Sequence, residues 1–282
     1  MRRIDFIFIL LLLTVPVRSF ATAQAPDILI YKGDTLSIFA NPLELLYDND
    51  SIRPKYFGEK KACITTACWR AYQAEWTIVD NDLYLTGIYS CCYYEDSIKA
   101  DLSKLFGDKY INGKVKADWV TAKIIAPQGK LLYYIHDAYA SIYEKELELN
   151  FIKGQLTGTN IYDNSKTRQS VYSQDSEKLK EFIYKNINWS VVPKLDDKVI
   201  KFYIRFSANE KGVVDSAKIV RGNESGLDEE AVRVVKNIPD WDIFYIHGVL
   251  QRRTWTIPII FSEENRKKYS NDKDSKDKEP SP

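Results

Sequence analysis

The chain has 282 residues, a formal net charge of +1 at pH 7, and a composition that is 45% hydrophobic and 13% aromatic. This length exceeds the ~100–200 residues of a typical domain, so two domains with buried cores are expected. Charges of both signs nearly cancel, which argues against nucleic acid or an anionic surface as the main partner.

Residues 1–25 are predicted to be a signal peptide. Arg2 and Arg3 precede an apolar stretch from Phe6 to Val17, and Ala21-Thr-Ala23 provides small residues for cleavage. Because a membrane-spanning helix needs ~20 apolar residues, we expect cleavage near Ala23. The expected product is a periplasmic protein without stable membrane insertion. The alternative is that the apolar segment is retained as an anchor.

Residues 26–164 are predicted to form an antiparallel β-rich domain, either a sandwich or an open barrel. Apolar runs flank the turn Asp80-Asn-Asp82, and another pair of runs flanks Lys153-Gly154. Two further runs lie on either side of Ala126-Pro-Gln-Gly129, which favours a turn there. Short strands at near-regular spacing are typical of these all-β architectures.

The cysteines of the chain are Cys63, Cys68, Cys91 and Cys92. An even number in an exported chain predicts disulfides, and four cysteines allow three pairings. We favour bonds that join Cys63 and Cys68 to Cys91 and Cys92, which leaves two of the pairings open. A zinc site or a redox motif would require Cys-x-x-Cys-like spacing, which is absent. No metal and no cofactor are therefore expected.

No catalytic residue is predicted. His136 and His247 lack a serine or cysteine nucleophile motif nearby, and we interpret both as ordinary surface or loop histidines. Glu144, Glu146 and Glu148 alternate along one strand face, which we interpret as solvated rather than as a glycosidase carboxylate pair. The alternative is that the β-rich domain binds or hydrolyses a carbohydrate or peptide, since its many aromatic side chains suggest a sugar platform.

A compact α+β domain is predicted over residues 176–262, after a polar linker at residues 165–175. Apolar residues alternate in its strands and recur every three or four positions in its helices. The predicted elements are a helix at 176–188, strands at 199–207 and 213–220 around a turn at 209–212, a helix at 227–238 and a strand at 251–261. Residues 263–282 are rich in Lys, Asp, Glu and Ser, which predicts a disordered tail.

These C-terminal features, taken in order, resemble the C-terminal domain of TonB-type energy transducers. The matching segments are Phe206 through Gly212-Val-Val-Asp215, Leu227-Asp-Glu-Glu-Ala-Val-Arg-Val-Val235, Ile238-Pro-Asp-Trp241, Gly248 and Ile257-Pro-Ile-Ile-Phe261. The chain departs from the family at residues 242–247, where the family usually has Pro-Gly, and at residues 192–197. In the family this domain docks onto a short segment of an outer-membrane receptor. The resemblance therefore implies a fold that presents a usable sheet edge.

The closing strand carries Pro258, and proline within a sheet is confined to edges, strand starts and bulges. We therefore predict an open edge to which a segment of an envelope or outer-membrane protein adds as a strand. The predicted binding residues are Arg252, Arg253, Thr254, Trp255 and Thr256. The alternative occupant of the edge is a second copy, which would make a homodimer.

The predicted function is that of an exported, non-enzymatic adaptor. A TonB-type energy transducer is the first alternative, and it requires the N-terminal apolar segment to be kept as an anchor. It also requires a Pro-rich span across the periplasm, which the sequence lacks. The N-terminal region resembles only uncharacterised exported bacterial proteins, and that resemblance implies no mechanism.

Overall fold

The structure is a computed structural model that describes residues 23–47, 55–60, 63–222 and 226–274. The predicted signal peptide lies outside these residues except for its last three positions. The chain has the predicted α+β fold class and divides into two compact units. Unit 1 comprises the described residues up to Ala126, with Tyr134–Ser141 and Leu149–Thr159. Unit 2 comprises Pro127–Tyr133, Ile142–Glu148 and the described residues from Asn160 onward.

Unit 1 is built on a sheet whose strand order is β2-β1-β3-β4-β9-β8-β7, with β6 pairing with β4 and β5. The strands are β1 (Asp27–Tyr31), β2 (Asp34–Ile38), β3 (Tyr72–Val79), β4 (Asp82–Ser90), β5 (Tyr110–Ile111), β6 (Lys114–Lys116), β7 (Ala122–Tyr133), β8 (Ile142–Ile152) and β9 (Gln155–Asp163). The last three continue into unit 2. The helices are α1 (Tyr93–Asp96) and α2 (Leu102–Phe106), with 3₁₀ turns at Pro42–Leu46 and Gly107–Lys109. Strands β1 and β3 pair in parallel.

The hairpin of β3 and β4 forms where the sequence predicts it. Its turn residues Asp80 and Asn81 have φ angles of 50° and 67°, the left-handed conformation that a two-residue type I′ turn needs and that Asp and Asn tolerate. Alternation along β3 then directs Tyr72, Ala74 and Trp76 to one face, where all three are fully buried. The second predicted hairpin, formed by β8 and β9, is also present.

The turn predicted at Ala126-Pro-Gln-Gly129 is wrong, because β7 runs through these residues as one strand. Strand β7 is last in the sheet order, so Pro127 lies on an edge strand, where a nitrogen that faces away from the sheet needs no hydrogen. Gly129 has a φ of 75°, and the following N–H, from Lys130, donates to the Glu144 carboxylate at 3.3 Å. Proline and glycine therefore mark an irregular edge strand rather than a turn.

Unit 2 contains a three-stranded sheet in the order β11-β10-β14. The strands of this unit are β10 (Ile200–Ala208), β11 (Val214–Arg221), β12 (Tyr245–Ile246), β13 (Val249–Leu250) and β14 (Trp255–Phe261), where β12 and β13 form a separate small hairpin. The helices are α3 (Val171–Gln174), α4 (Ser176–Asn186), α5 (Asp228–Lys236) and α6 (Glu263–Asp274). The strands and helices predicted between residues 176 and 262 are all present; the closing strand begins at Trp255 rather than at residue 251, and the other bounds agree with the prediction to within two residues.

One hydrophobic core joins the three-stranded sheet to its helices. Phe202 and Phe206 of β10 are buried, and they share one cluster with Ala231 and Val234 of α5. Phe202 meets Phe261 of β14 edge to face, with ring centroids 5.9 Å apart. Truncating either ring to alanine would cost ~3–5 kcal/mol of stability. The core thus fixes which face of β14 is buried.

The predicted linker at residues 165–175 is wrong. Ser170 is buried, its N–H donates to the Asp242 carboxylate at 2.6 Å, and its hydroxyl donates to the Asp240 carbonyl at 2.9 Å. Its hydroxyl also accepts from the Tyr172 N–H, which caps α3. The buried residues of the stretch, Thr167 and Ser170, bond to Tyr245, Asp240 and Asp242, while Ser165, Lys166, Arg168 and Gln169 between and beside them are exposed.

The predicted disordered tail is also wrong over residues 263–274, which form α6. The Arg266 guanidinium donates to the carbonyls of Trp189, Val192 and Pro193 at 3.0, 3.1 and 2.7 Å. Tyr269 is buried and stacks on Tyr184 at 5.3 Å between ring centroids. Two side chains therefore hold a helix whose composition alone predicts disorder. Residues 275–282 lie outside the described part of the chain.

Candidate functional site

Strand β14 is an edge strand, because β10 is its single neighbour in the sheet order. The two strands pair without a register shift, with Thr256 opposite Arg205 and Pro258 opposite Tyr203. Pro258 has no N–H, so no ladder bond is lost when its nitrogen faces away from β10. Backbone groups two residues apart on a strand point the same way, so those of Thr256 and Ile260 also face away from β10.

The outer edge of β14 is covered at Ile260 but not at Thr256. The Ile260 carbonyl accepts a hydrogen bond from Asn265 Nδ2 at 2.9 Å. The Ile260 backbone also bonds to the Tyr184 phenol. Burial raises the pKa of this phenol, and the hydrogen bond from Ile260 opposes that shift. Within the described residues, Thr256 and Pro258 take part in no hydrogen bond outside the β10 ladder. We call Thr256–Pro258 the open stretch of the edge.

The two arginines predicted to bind a partner are occupied within unit 2. Arg252 forms an ion pair with Asp215, and it donates to the Ser207 hydroxyl at 2.9 Å. The Arg253 guanidinium lies over the Phe244 ring, 4.3 Å from its centroid. Arg252 is therefore held by an ion pair and Arg253 by a ring contact, and binding of a partner by these two arginines stays a prediction.

The other predicted binding residues are divided between the core and the surface. Trp255 is half-buried and stacks on Phe244 with 6.3 Å between ring centroids. Thr254 and Thr256 are exposed, although Thr254 lies in the loop before the strand. Only Thr256 combines exposure with an edge position on β14.

Two disulfides, Cys63–Cys92 and Cys68–Cys91, confirm the prediction that the first pair of cysteines bonds to the second pair. Their Cα atoms lie 5.8 and 6.2 Å apart. Each such bond is worth ~2–4 kcal/mol through its effect on the unfolded chain. The bonds attach the loop before β3 to the segment after β4. They are consistent with an exported protein.

The interpretation of Glu146 and Glu148 as solvated is wrong. Both are buried, at 8% and 5% exposure. The Glu148 carboxylate accepts from Asn160 Nδ2 at 2.9 Å and from the Tyr162 hydroxyl at 3.1 Å. Glu146 Oε2 lies 2.6 Å from His247 Nδ1 and accepts from the His247 backbone N–H at 3.2 Å. Buried carboxylates require such partners.

His247 and Gly248 form the two-residue turn between β12 and β13, with φ angles of 51° and 70°. The Gly248 N–H donates to Asn164 Oδ1 at 2.9 Å. A carboxylate that holds Nδ1 of a histidine leaves Nε2 for proton transfer, as in a general base. Within the described residues, however, no serine, threonine or cysteine side chain is hydrogen-bonded to the His247 ring. Sequence analysis missed this pair, because the two residues are 101 positions apart and no local pattern joins them.

Asp27 is the centre of a second buried polar cluster, in unit 1. Its carboxylate is fully buried and accepts from Arg70 Nη2 at 2.9 Å, from the Ala74 N–H at 3.1 Å and from Trp76 Nε1 at 3.1 Å. Burial raises the pKa of Asp27 to about 6, and Arg70 opposes that shift. Tyr139 extends the cluster, since its hydroxyl donates to the Ala25 carbonyl at 3.1 Å. The cluster fixes the start of β1 to β3.

Unit 1 also has a cavity of about 380 Å³, whose lining includes Tyr89, Lys99, Asp101 and Tyr110. The Tyr89 ring contacts Tyr93 at 4.7 Å between centroids, and Tyr93 contacts the fully exposed Tyr94. Aromatic and charged side chains around one concavity are suited to a small polar ligand.

Comparison with protein-family models, with curated proteins and with solved structures finds no match. Across the described residues, no helix is both long enough and apolar enough to cross a membrane. In the same part of the chain, no group of three or more His, Cys, Asp or Glu side chains is arranged to hold a metal ion.

Proposed function

We propose that this protein is an exported, non-enzymatic adaptor of the periplasm whose β14 edge binds an extended segment of an envelope protein. The observation that carries the proposal is the open stretch Thr256–Pro258 on an edge strand whose other side is held by a packed core. Binding would add the partner segment as a fourth strand beside β14.

The energetics of this docking follow from the groups that the open stretch offers. Thr256 presents one N–H and one carbonyl, and Pro258 presents a carbonyl only. Each backbone hydrogen bond contributes ~0.5–1.5 kcal/mol net. The backbone alone therefore supports weak binding, and side chains of the partner must supply the remaining affinity. At Ile260 the backbone already bonds to Asn265 and Tyr184, so this residue offers fewer free groups to a partner.

The order of elements in unit 2 also supports the proposal. A hairpin, a helix and a closing edge strand follow one another as in the C-terminal domain of TonB-type transducers, which the sequence resembles. The β12–β13 hairpin occupies the segment where the sequence departs from that family. We therefore extend to this chain the family's use of a sheet edge, and not its coupling of energy.

Proline at position 256 tests the proposal. The Thr256→Pro variant removes an N–H that faces away from β10. The hydrogen bonds between β10 and β14 are all kept, so the fold should persist. Capture of envelope proteins by the purified mature protein should fall at least about tenfold, because one bond is lost and the proline ring obstructs the added strand. Thr256→Ala is the matched control, since it alters the side chain and keeps the N–H.

Circular dichroism and thermal unfolding must first show that both variants fold like the parent. Capture that is equal for the proline variant, the alanine variant and the parent would place the binding surface elsewhere. Capture lost equally in both variants would assign binding to the threonine side chain rather than to strand addition.

A further inference from the structure

The solvent-facing side of the three-stranded sheet carries four cations around one tyrosine. Lys201, Tyr203 and Arg205 alternate along β10, and Lys218 and Arg221 lie opposite on β11, where Arg205 pairs with Lys218 and Tyr203 with Arg221. The four cationic side chains are exposed. We call these five residues the basic face.

The charges of the basic face are not neutralised within the described residues. None of its four cations has a carboxylate within ion-pair distance there, and the nearby Asp215 is held by Arg252. Lys201 lies over the Tyr203 ring, 4.9 Å from its centroid, and Arg221 lies 5.9 Å from the same centroid. A hydrogen bond from Lys201, together with the positive charge around the ring, lowers the pKa of Tyr203. Exposed like charges gathered this way repel one another, and an anionic partner removes that repulsion.

The basic face adjoins the open stretch of β14 in rows that cross the sheet. One row is Thr256, Arg205 and Lys218, and the next is Pro258, Tyr203 and Arg221. A strand added to β14 would lie ~10 Å from β10, or two strand spacings. Thr256 is short, so Arg205 can extend across it towards an acidic side chain that reaches back from the added strand.

We propose that the segment bound by β14 is acidic, with an aspartate or glutamate beside Thr256 that pairs with Arg205. This inference rests on the proposed function and names the chemistry of its partner. Backbone groups of Thr256 and Pro258 fix the position of the segment, and the basic face selects its side chains. The same charges disfavour a second copy, since edge-to-edge pairing of two β14 strands would bring two basic faces together.

Synthetic peptides of about eight residues can test this, since that is the length of an ordinary strand. The probe has glutamate at alternate positions with valine and threonine between, and its control has glutamine in place of every glutamate. Fluorescence anisotropy of the labelled peptides should show at least about tenfold tighter binding of the acidic probe to the mature protein at low salt. The preference should shrink as salt is added.

Three variants separate the parts of the inference. Arg205→Glu should weaken binding of the acidic probe at least about tenfold and leave the affinity for the glutamine probe unchanged, because the reversed charge repels only the carboxylates. Lys236→Glu changes the net charge equally at an exposed site on α5 and should leave both probes unchanged. Thr256→Pro should weaken the binding of both probes.

Every other outcome contradicts either the acidic preference or the addition of a strand to β14. If both probes bind alike and only Thr256→Pro weakens them, the edge function stands and the acidic preference is wrong. If Arg205→Glu matters and Thr256→Pro does not, acidic ligands bind the face without strand addition, and both proposals fail. If the acidic probe does not bind, the inference of an acidic segment is wrong. Capture of envelope proteins by the Thr256 variants still tests the proposed function. Binding to phosphatidylglycerol vesicles instead would make the occupant a membrane surface and overturn the peptide proposal.

Discussion

Asp27 is a carboxylic acid whose side chain is fully buried. Moving its carboxylate into the core costs several kcal/mol, and the Arg70 ion pair with two further hydrogen bonds offsets only part of that cost. Burial is the larger effect, which is why the pKa of Asp27 rises to about 6 although a cation lies 2.9 Å away. Nothing in the sequence separates Asp27 from other acids, because its burial depends on Arg70 and Trp76, more than 40 residues away.

The raised pKa of Asp27 predicts that stability falls as the pH rises from about 4 to about 6. In that window the folded state binds a proton that the unfolded state has already lost, so stability present at the lower pH is lost at the higher one. The contribution is about 3 kcal/mol at most. Urea unfolding of the parent and of Asp27→Asn across this pH range measures it.

The Asn variant should lose this pH dependence while other groups titrate as before. The free energy of unfolding of this variant at pH 7 also measures the cost of replacing the charged partner of Arg70 by a neutral one. Parallel curves for the two proteins would show that Asp27 does not titrate with the raised pKa.

Helix α6 shows at the scale of an element how a few contacts override composition. Its residues are mostly charged, and an isolated helix of this length is marginal in water. Arg266 nevertheless provides hydrogen-bond donors for three carbonyls in the segment that follows α4, where the backbone has no regular partner. Glu263 adds a bond to the Leu195 N–H at 2.9 Å. The helix thereby closes the core of unit 2 beside Trp189.

Arg266→Ala is expected to destabilise unit 2 by ~2–4 kcal/mol, because three carbonyls lose a charged donor. Lys267→Ala removes a neighbouring exposed cation and should change stability by less than ~0.5 kcal/mol. Chemical denaturation followed by tryptophan fluorescence compares the two variants. A disordered tail would make both substitutions equally neutral.

For the whole molecule, two observations agree with export. The cysteines pair as Cys63–Cys92 and Cys68–Cys91, and the described part of the chain contains no free cysteine. Disulfides persist in oxidising compartments and not in the cytosol. Cleavage near Ala23 stays a prediction, because the segment that would be removed lies outside the described residues.

Thiol titration of the denatured, unreduced protein is expected to find no reactive cysteine. Peptide mapping without reduction should link the peptide that carries Cys63 and Cys68 to the peptide that carries Cys91 and Cys92, and stepwise partial reduction with alkylation should then assign the pairs as Cys63–Cys92 and Cys68–Cys91. Reduction should lower stability by ~2–5 kcal/mol for each bond removed. Fragments that link Cys63 to Cys91 would contradict the pairing, and four free thiols would contradict the oxidised state.

The elements of this protein that depend on local chemistry could be predicted from the amino-acid sequence. Period-two alternation and turn residues such as Asp80 and Gly212 define the strands and hairpins, and a recurring apolar stripe defines α5. Pro258 identified an edge strand, because a residue without an N–H cannot sit between two strands.

Features that depend on residues distant in the chain could not be predicted from the sequence. The pairing of the cysteines, the burial of Glu146 and Glu148, and the order in α3 and α6 each require groups far away in the chain. The same holds for the candidate site, where Arg252 was predicted to bind a partner but is held by Asp215, and Arg205 faces the open stretch from a neighbouring strand. Hydrogen bonds and ion pairs act over a few ångströms, and only the folded chain brings these residues within that range.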